Sequence, residues 1–259
     1  MSQNRWRGRT VIVTGSTRGI GLATAAAFAR HGALVVVHGR DEAAGQAVQK
    51  GLRDQGHDAI FVSEDLSSPQ APRRLVEAAM AWSGRVDVLV NNAGANTFTG
   101  FMSTTLEQWD QALNLDLRAA WIASVAAAEV MAEGGAIVNV ASNHAFATMP
   151  GVFPYNVAKA GMVAMTQSAA IELAERGIRV NAICPGYIDT PINDAYFGTF
   201  PDPESERRRV EQLHPVRRLG SADEVAEAAM FLASPDCGFM TGTTVVLDGG
   251  RSALLQDPA

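Results

Sequence analysis

Thr10-Val11-Ile12-Val13-Thr14-Gly15-Ser16-Thr17-Arg18-Gly19-Ile20-Gly21, followed by the alanine-rich run to Arg30, is the stretch whose reading decides the fold. A β-branched strand runs directly into three glycines and then into a helical pattern. Gly15 permits a tight exit from the strand, Gly19 lets the backbone approach a pyrophosphate, and Gly21 allows the helix to pack closely on the strand. The helix N-terminus adds amide donors and a positive dipole end. A lone glycine cluster could be plain turn chemistry. Its place after the first strand of a β-α-β unit favours phosphate binding, with Gly15, Thr17, Arg18, Gly19, Ile20 and Gly21 as cofactor-binding residues.

Outward from this turn, short apolar runs alternate with longer helical patterns. Strands are expected at Thr10 to Thr14, Leu34 to His38, Ala59 to Val62, Val86 to Val90, Ala136 to Ala141, Ile178 to Ile183 and Thr244 to Leu247. Helices are expected at Ile20 to Arg30, Glu42 to Asp54, Ala71 to Trp82, Leu106 to Met131 and Tyr155 to Glu175. Strands that are apolar throughout indicate burial on both faces, as in a parallel sheet covered by helices. The expected architecture is α/β, a three-layer doubly wound (Rossmann) fold with a seven-stranded parallel sheet and its crevice at the strand C-termini. No repeat or linker marks a boundary, so residues 1–259 read as one dinucleotide-binding and catalytic domain. Thr190 to Pro215 breaks the rhythm and reads as a substrate loop.

Composition agrees. The 259 residues carry a net charge of −6, with 47% apolar and 19% charged residues and 11 prolines, which excludes disordered and fibrous classes. A mildly acidic chain gives no reason to expect nucleic acid or an anionic membrane as a partner. Cys184 and Cys237 form no disulfide framework or zinc spacing and read as small core hydrophobes. Val11 to Val13, after the basic Arg5, Arg7 and Arg9, is too short for a signal-peptide core, and Ala119 to Ala132 falls short of the ~20 residues of a membrane span. A soluble, cytoplasmic protein is expected.

The second strand ends Val37-His38-Gly39-Arg40 with no carboxylate to bond a ribose 2′-hydroxyl. Arg40 and Arg18 could instead converge on a 2′-phosphate, which favours NADP(H) over NAD(H). Asp41 is the counter-evidence, but it precedes a helical pattern and reads as an N-cap. Tyr155 and Lys159, four apart on a helix, share a face. An ammonium beside a phenol draws its pKa down from ~10, which makes Tyr155 a candidate general acid/base. Ser142, at the end of a strand, could hydrogen-bond a substrate oxygen at the same crevice. Three tyrosines and only two lysines, Lys50 and Lys159, make a chance match at this spacing a roughly 2% event.

Thr14-Gly15-(three residues)-Gly19-Ile20-Gly21, Asn91-Asn92-Ala93-Gly94, Ser142, Tyr155-Asn156-Val157-Ala158-Lys159, Pro185-Gly186 and the closing Val246-Leu247-Asp248-Gly249-Gly250 together resemble the motif series of the short-chain dehydrogenase/reductase family. The resemblance covers essentially the whole chain and implies reversible hydride transfer between NADP(H) and a carbonyl or secondary alcohol. It implies that Tyr155 exchanges the proton, that Lys159 lowers its pKa and binds the nicotinamide ribose, and that Ser142 orients the reacting oxygen. It matches Asn114 to a fourth member that holds a water in a proton relay, a residue that composition alone would place on a helix surface. It matches Asp65 to the adenine contact with Leu66 beside it, Asn92 and Gly94 to a cofactor-side turn, and Ile188 and Thr190 to the nicotinamide carboxamide. Pro185 and Gly186 complete the expected cofactor set, and Asn91 reads as stabilising the sheet. The family commonly pairs its long helices, so a homo-oligomer, dimer or tetramer, is expected.

Substrate contacts are expected from Ser142, His144, Tyr155 and Tyr187, with Asn96, Phe98, Asn143, Phe146, Pro150 and the loop from Asn193 to Phe200 near them. The polar step Asn143-His144 suits a sugar or polyol, although His144 could merely tie down a loop. Arg207 to Arg209 admit an alternative, a 3-oxoacyl-[acyl-carrier-protein] reductase with a basic docking face, although such a run is most often a solvated helix. A catalytically silent dinucleotide-binding regulator would be expected to lack one of Asn114, Ser142, Tyr155 or Lys159, and all are present.

Overall fold

The computed structural model describes residues 5–254. Seven strands form one sheet: β1 (Thr10–Val13), β2 (Leu34–Gly39), β3 (Ala59–Ser63), β4 (Val88–Asn91), β5 (Ala136–Val140), β6 (Arg179–Pro185) and β7 (Thr244–Leu247). Their order is β7-β6-β5-β4-β1-β2-β3, and every neighbouring pair is parallel. The chain therefore winds outward in one direction to β3 and in the other from β4. The switch between β1 and β4 opens a crevice at the carboxyl ends of the strands.

The apolar strands are explained by what covers them. Val11, Val13, Val35, Val37, Val88 and Val90 face a core closed by α1 (Gly19–Arg30) and α9 (Ala222–Ala233). Ile12, Val36, Leu89, Ile137 and Val180 face the opposite core, with residues of α3 (Ala71–Ser83) and α5 (Ala119–Val130). Alternate side chains serve opposite layers, so neither strand face is polar. Between them, Asn91 bridges β4 to β5. Its Nδ2 donates to Asn139 Oδ1 at 2.8 Å and to Ser124 Oγ at 3.0 Å, and Asn139 Nδ2 donates to Thr166 Oγ1 at 2.9 Å. A buried polar chain is stable only when its groups find partners, and this one ties the sheet to α5 and to α6 (Tyr155–Leu173).

Two expectations are corrected. The helix expected over Leu106 to Met131 is α4 (Leu106–Leu113) and α5 joined by a π-turn over Asn114–Arg118. The segment Thr190 to Pro215 is not plain loop: it holds α7 (Pro191–Phe197) and α8 (Pro203–Gln212), each with proline in its first turn, where the missing N–H costs nothing. The remaining helix, α2 (Glu42–Asp54), starts at Asp41, whose carboxylate accepts from the Ala44 amide at 3.0 Å, so Asp41 is the N-cap. Among the described residues no helix is long and apolar enough to cross a membrane. Cys184 and Cys237 are both buried free thiols.

Candidate active site

A crevice of about 570 Å³ runs along the carboxyl ends of the strands. It is lined by Gly15, Thr17, Arg18, Gly19, Ile20, Arg40, Leu66, Asn92, Gly94, Ser142, His144, Tyr155, Lys159, Pro185, Gly186, Tyr187, Ile188 and Thr190. Three expected residues do not line it. Gly21 lies behind the turn, where a Cβ would come within 2.2 Å of the Gly15 carbonyl oxygen, so it serves packing. Asp65 is exposed, and its Oδ1 accepts from Ser67 N and Oγ at 3.1 and 2.8 Å. Those hydrogen bonds, the backbone one foremost, hold its carboxyl below the usual range. Asn114 lies on the π-turn off the crevice, and two residues later Asp116 faces into it.

Braces from neighbouring strands shape the dinucleotide turn. Asn92 Nδ2 donates to the carbonyls of Thr14 and Gly15 at 2.9 and 3.0 Å. His38, 3% exposed at the end of β2, accepts from the Gly15 amide through Nδ1 at 3.0 Å, so its Nε2 is the donor to the Glu64 carbonyl at 3.1 Å. Nothing in the sequence marked His38. Burial pushes its pKa down to about 4, which keeps the ring neutral. The unfolded chain then binds a proton that the native chain refuses, so stability holds above pH ~6.5 and falls as pH drops toward 4. From a shift of that size the loss is expected to reach ~3 kcal/mol. Denaturant titrations between pH 7 and 4 check this: the acid slope should be clearly shallower in His38→Gln, and an unchanged slope would refute it.

At the other end, Tyr155 opens α6 and Lys159 lies one turn on, its Nζ 5.5 Å from the phenol ring centroid. Lys159 is 3% exposed; Nζ donates to the Val140 carbonyl at 3.3 Å and is 3.6 Å from Asp116 Oδ1. Ser142 follows β5 and lines the crevice with Tyr155, and its Oγ accepts from the His144 amide at 3.2 Å. Phe98 and His144 stand edge-on to the Tyr155 ring, at centroid distances of 5.3 and 6.3 Å. The expected downward pull of Lys159 on the phenol is present. Burial outweighs it and Asp116 opposes it, so the Tyr155 hydroxyl is held protonated above its ordinary range.

On the substrate side, His144 Nδ1 is 3.2 Å from Thr148 Oγ1, and burial pushes its pKa below the usual histidine value. Asn143 is buried. Asn193 donates to the Ile188 carbonyl at 2.7 Å. Tyr187 packs beside Tyr196, and burial pushes its hydroxyl up to about 12. Each arginine of the basic run on α8 is paired: Arg207 donates to Asp189, outside the helix, at 2.7 and 3.0 Å, Arg208 to Glu204 at 3.2 Å, and Arg209 to Glu206 at 2.6 and 2.7 Å.

The residues fit a dinucleotide. α1 begins at Arg18 without a side-chain cap or an acid in its first turn, so its leading amides are available to a phosphate. Arg18 and Arg40 are exposed at the mouth and, among the described residues, their side chains make no hydrogen bond or ion pair.

Comparison with known proteins agrees with this geometry. A family model described as Enoyl-(Acyl carrier protein) reductase matches residues 15–252. A 3beta-hydroxysteroid dehydrogenase 1 from Eggerthella lenta is 36% identical over 250 residues, 95% of this chain and 94% of that protein. Dehydrogenase/reductase SDR family member 4 from Oryctolagus cuniculus is 36% identical over 250 residues, 95% of each chain. A short chain dehydrogenase from Burkholderia cenocepacia, solved in complex with NADP, superposes with a TM-score of 0.89 at 34% identity, covering 96% of this chain and 100% of that one. With its parallel sheet, its glycine turn and its Tyr155-Lys159 pair at the carboxyl ends of the strands, the chain belongs to the short-chain dehydrogenase/reductase family of oxidoreductases.

Proposed function

We propose that the protein is an NADP(H)-dependent enzyme that interconverts a carbonyl compound and a secondary alcohol. The observation that carries this reading is the convergence of Ser142, Tyr155 and Lys159 at one end of a crevice whose other end holds an uncapped helix N-terminus and two unpaired arginines. The same convergence argues against a catalytically silent regulator.

When bound, the nicotinamide supplies or takes up the hydride. The Tyr155 hydroxyl delivers a proton to the carbonyl oxygen or, as the phenolate, takes it from the alcohol, and Ser142 hydrogen-bonds that oxygen as charge develops. Lys159, held by Val140 and Asp116, stabilises the phenolate. Asn92 and His38 keep the phosphate turn in place.

For the substrate, Asn193 is committed to the framework and Asn143 is buried, which weakens the case for a sugar or polyol. His144 remains to hydrogen-bond a ligand, beside Phe98, Tyr187 and Tyr196. That wall suits a ketone or secondary alcohol on an apolar, ring-bearing body. NADPH consumption with cyclic ketones against open-chain sugars tests it: cyclic ketones should show the higher kcat/KM, and a preference for sugars would overturn it.

Trp121 on α5 and Ile171 on α6 are 55% and 77% exposed, which supports a homo-oligomer built through these helices. Light scattering on the purified protein should give a dimer or tetramer mass.

A further inference from the structure

Asp116 is the least exposed charged side chain among the described residues, at 0%. It sits within the π-turn, where five residues replace a regular helical turn, and it projects toward α6. Oδ1 accepts from the Ala95 amide at 3.0 Å and lies 3.6 Å from Lys159 Nζ. Oδ2 is buried with no hydrogen-bond partner among the described residues. Space for the pair comes from Gly94: a Cβ there would lie 2.2 Å from Asp116 Oδ1 and 3.3 Å from Lys159 Nζ.

A buried carboxylate this close to a proton donor is costly unless it is neutralised. Burial is the largest influence and leaves the Asp116 carboxyl above its ordinary range, although Lys159 foremost and then the Ala95 amide pull against it. Were Asp116 neutral, the Lys159 ammonium would be buried with only the Val140 carbonyl as acceptor, the more expensive arrangement, so the pair is a charged one. The other titratable groups around it are Tyr155 and Lys159 on α6, Cys184 on β6 and His144 beyond Ser142. Arg118, on the same turn, is directed instead to the Ser67 carbonyl at 2.6 Å.

We propose that Asp116 is a positioning residue that sets the charge of the proton-transfer site: its buried carboxylate offsets the Lys159 ammonium and so keeps the Tyr155 hydroxyl protonated and ready to reduce a carbonyl. A site with a neutral group at this place would leave the ammonium uncompensated and release the phenol proton at lower pH. Asp116 thereby favours proton delivery near neutrality and moves alcohol oxidation, which needs the phenolate, to higher pH. The inference rests on the reading of Tyr155 as the proton-transfer group.

Asp116→Asn keeps the size and the acceptor for the Ala95 amide while removing the charge. Tyrosine phenolate absorbance is titrated in the wild type and in Asp116→Asn, each referenced to its own Tyr155→Phe partner so that one of three tyrosines is isolated. The midpoint is expected to fall by about one pH unit, and the alkaline limb of kcat/KM for ketone reduction to fall with it. An unchanged or higher midpoint, as a carboxyl already protonated in the wild type would give, overturns the proposal. If Asp116→Asn does not fold, Asp116→Ser removes the same charge at smaller volume and must shift the midpoint the same way. The absorbance readout needs no turnover, so a failure here is distinct from a failure of the Tyr155 assignment, which would appear as undiminished activity in Tyr155→Phe.

Discussion

Tyr155→Phe is expected to lower turnover by about 10²- to 10⁴-fold, the usual contribution of a positioned general acid, while cofactor binding stays within about twofold. The hydroxyl is the atom that exchanges the proton. The ring is what packs against Phe98 and His144, and phenylalanine preserves it. Binding at the dinucleotide turn depends on Gly15, Asn92 and His38, none of which touches the phenol oxygen. The loss should therefore fall on kcat and kcat/KM about equally, as for an interaction made only in the transition state. Steady-state kinetics with NADPH, paired with a fluorescence titration of NADPH binding, checks both halves. Turnover within about fivefold of wild type would remove Tyr155 from the chemistry, and a parallel loss of NADPH binding would mean that the ring had moved.

How much of this was legible in the sequence depends on what each residue contacts. The strands were legible because both of their faces meet helices, so Val11, Ile12 and Val13 are apolar in succession although they serve opposite cores. The Asp41 cap was legible because an N-cap is a local device, settled by the amide three residues on. The fourth member of the site was not. Helical periodicity assumes a constant turn, and the π-turn at Asn114–Arg118 inserts an extra residue that rotates the downstream side chains about the helix axis. Asn114, matched to that place by the family resemblance, stays off the crevice, and Asp116 meets Lys159. The one signal in the chain was a carboxylate isolated among apolar neighbours in Leu113-Asn114-Leu115-Asp116-Leu117, for which a buried countercharge is the physical requirement. His38 escaped because its partner, the Gly15 amide, lies on a different strand-to-helix turn. The α8 arginines were legible as charge but not as pairs, since Asp189 is 18 residues from Arg207 in the chain.

Arg40→Ala should lower kcat/KM for NADP(H) by about ten- to a hundredfold, the value of one or two charge-assisted hydrogen bonds, and leave NAD(H) nearly unaffected. The expectation comes from where the two mouth arginines sit. Gly39 packs on the Thr17 methyl so closely that a Cβ would lie 2.6 Å away, which brings the end of β2 against the phosphate turn and places Arg40 and Arg18 at the same mouth of the crevice. Neither side chain is paired among the described residues, and the adjacent acid, Asp41, is engaged in capping α2. A ribose 2′-phosphate entering there would meet two guanidinium forks, whereas the carboxylates on the same wall, Asp41 and Glu64, are engaged with the Ala44 amide and with Arg74 rather than offered to a 2′-hydroxyl. Both arginines are exposed, so the preference should narrow as ionic strength rises, which a purely steric preference would not do. Arg40→Asp should go further and reverse the preference, because a carboxylate at this place repels the phosphate and accepts from the hydroxyl. Parallel kinetics with both cofactors in wild type, Arg18→Ala, Arg40→Ala and Arg40→Asp decide the matter. Equal wild-type efficiencies with NADPH and NADH, or a loss in Arg40→Ala that is the same for both, would show that the arginines at the mouth do not select the cofactor.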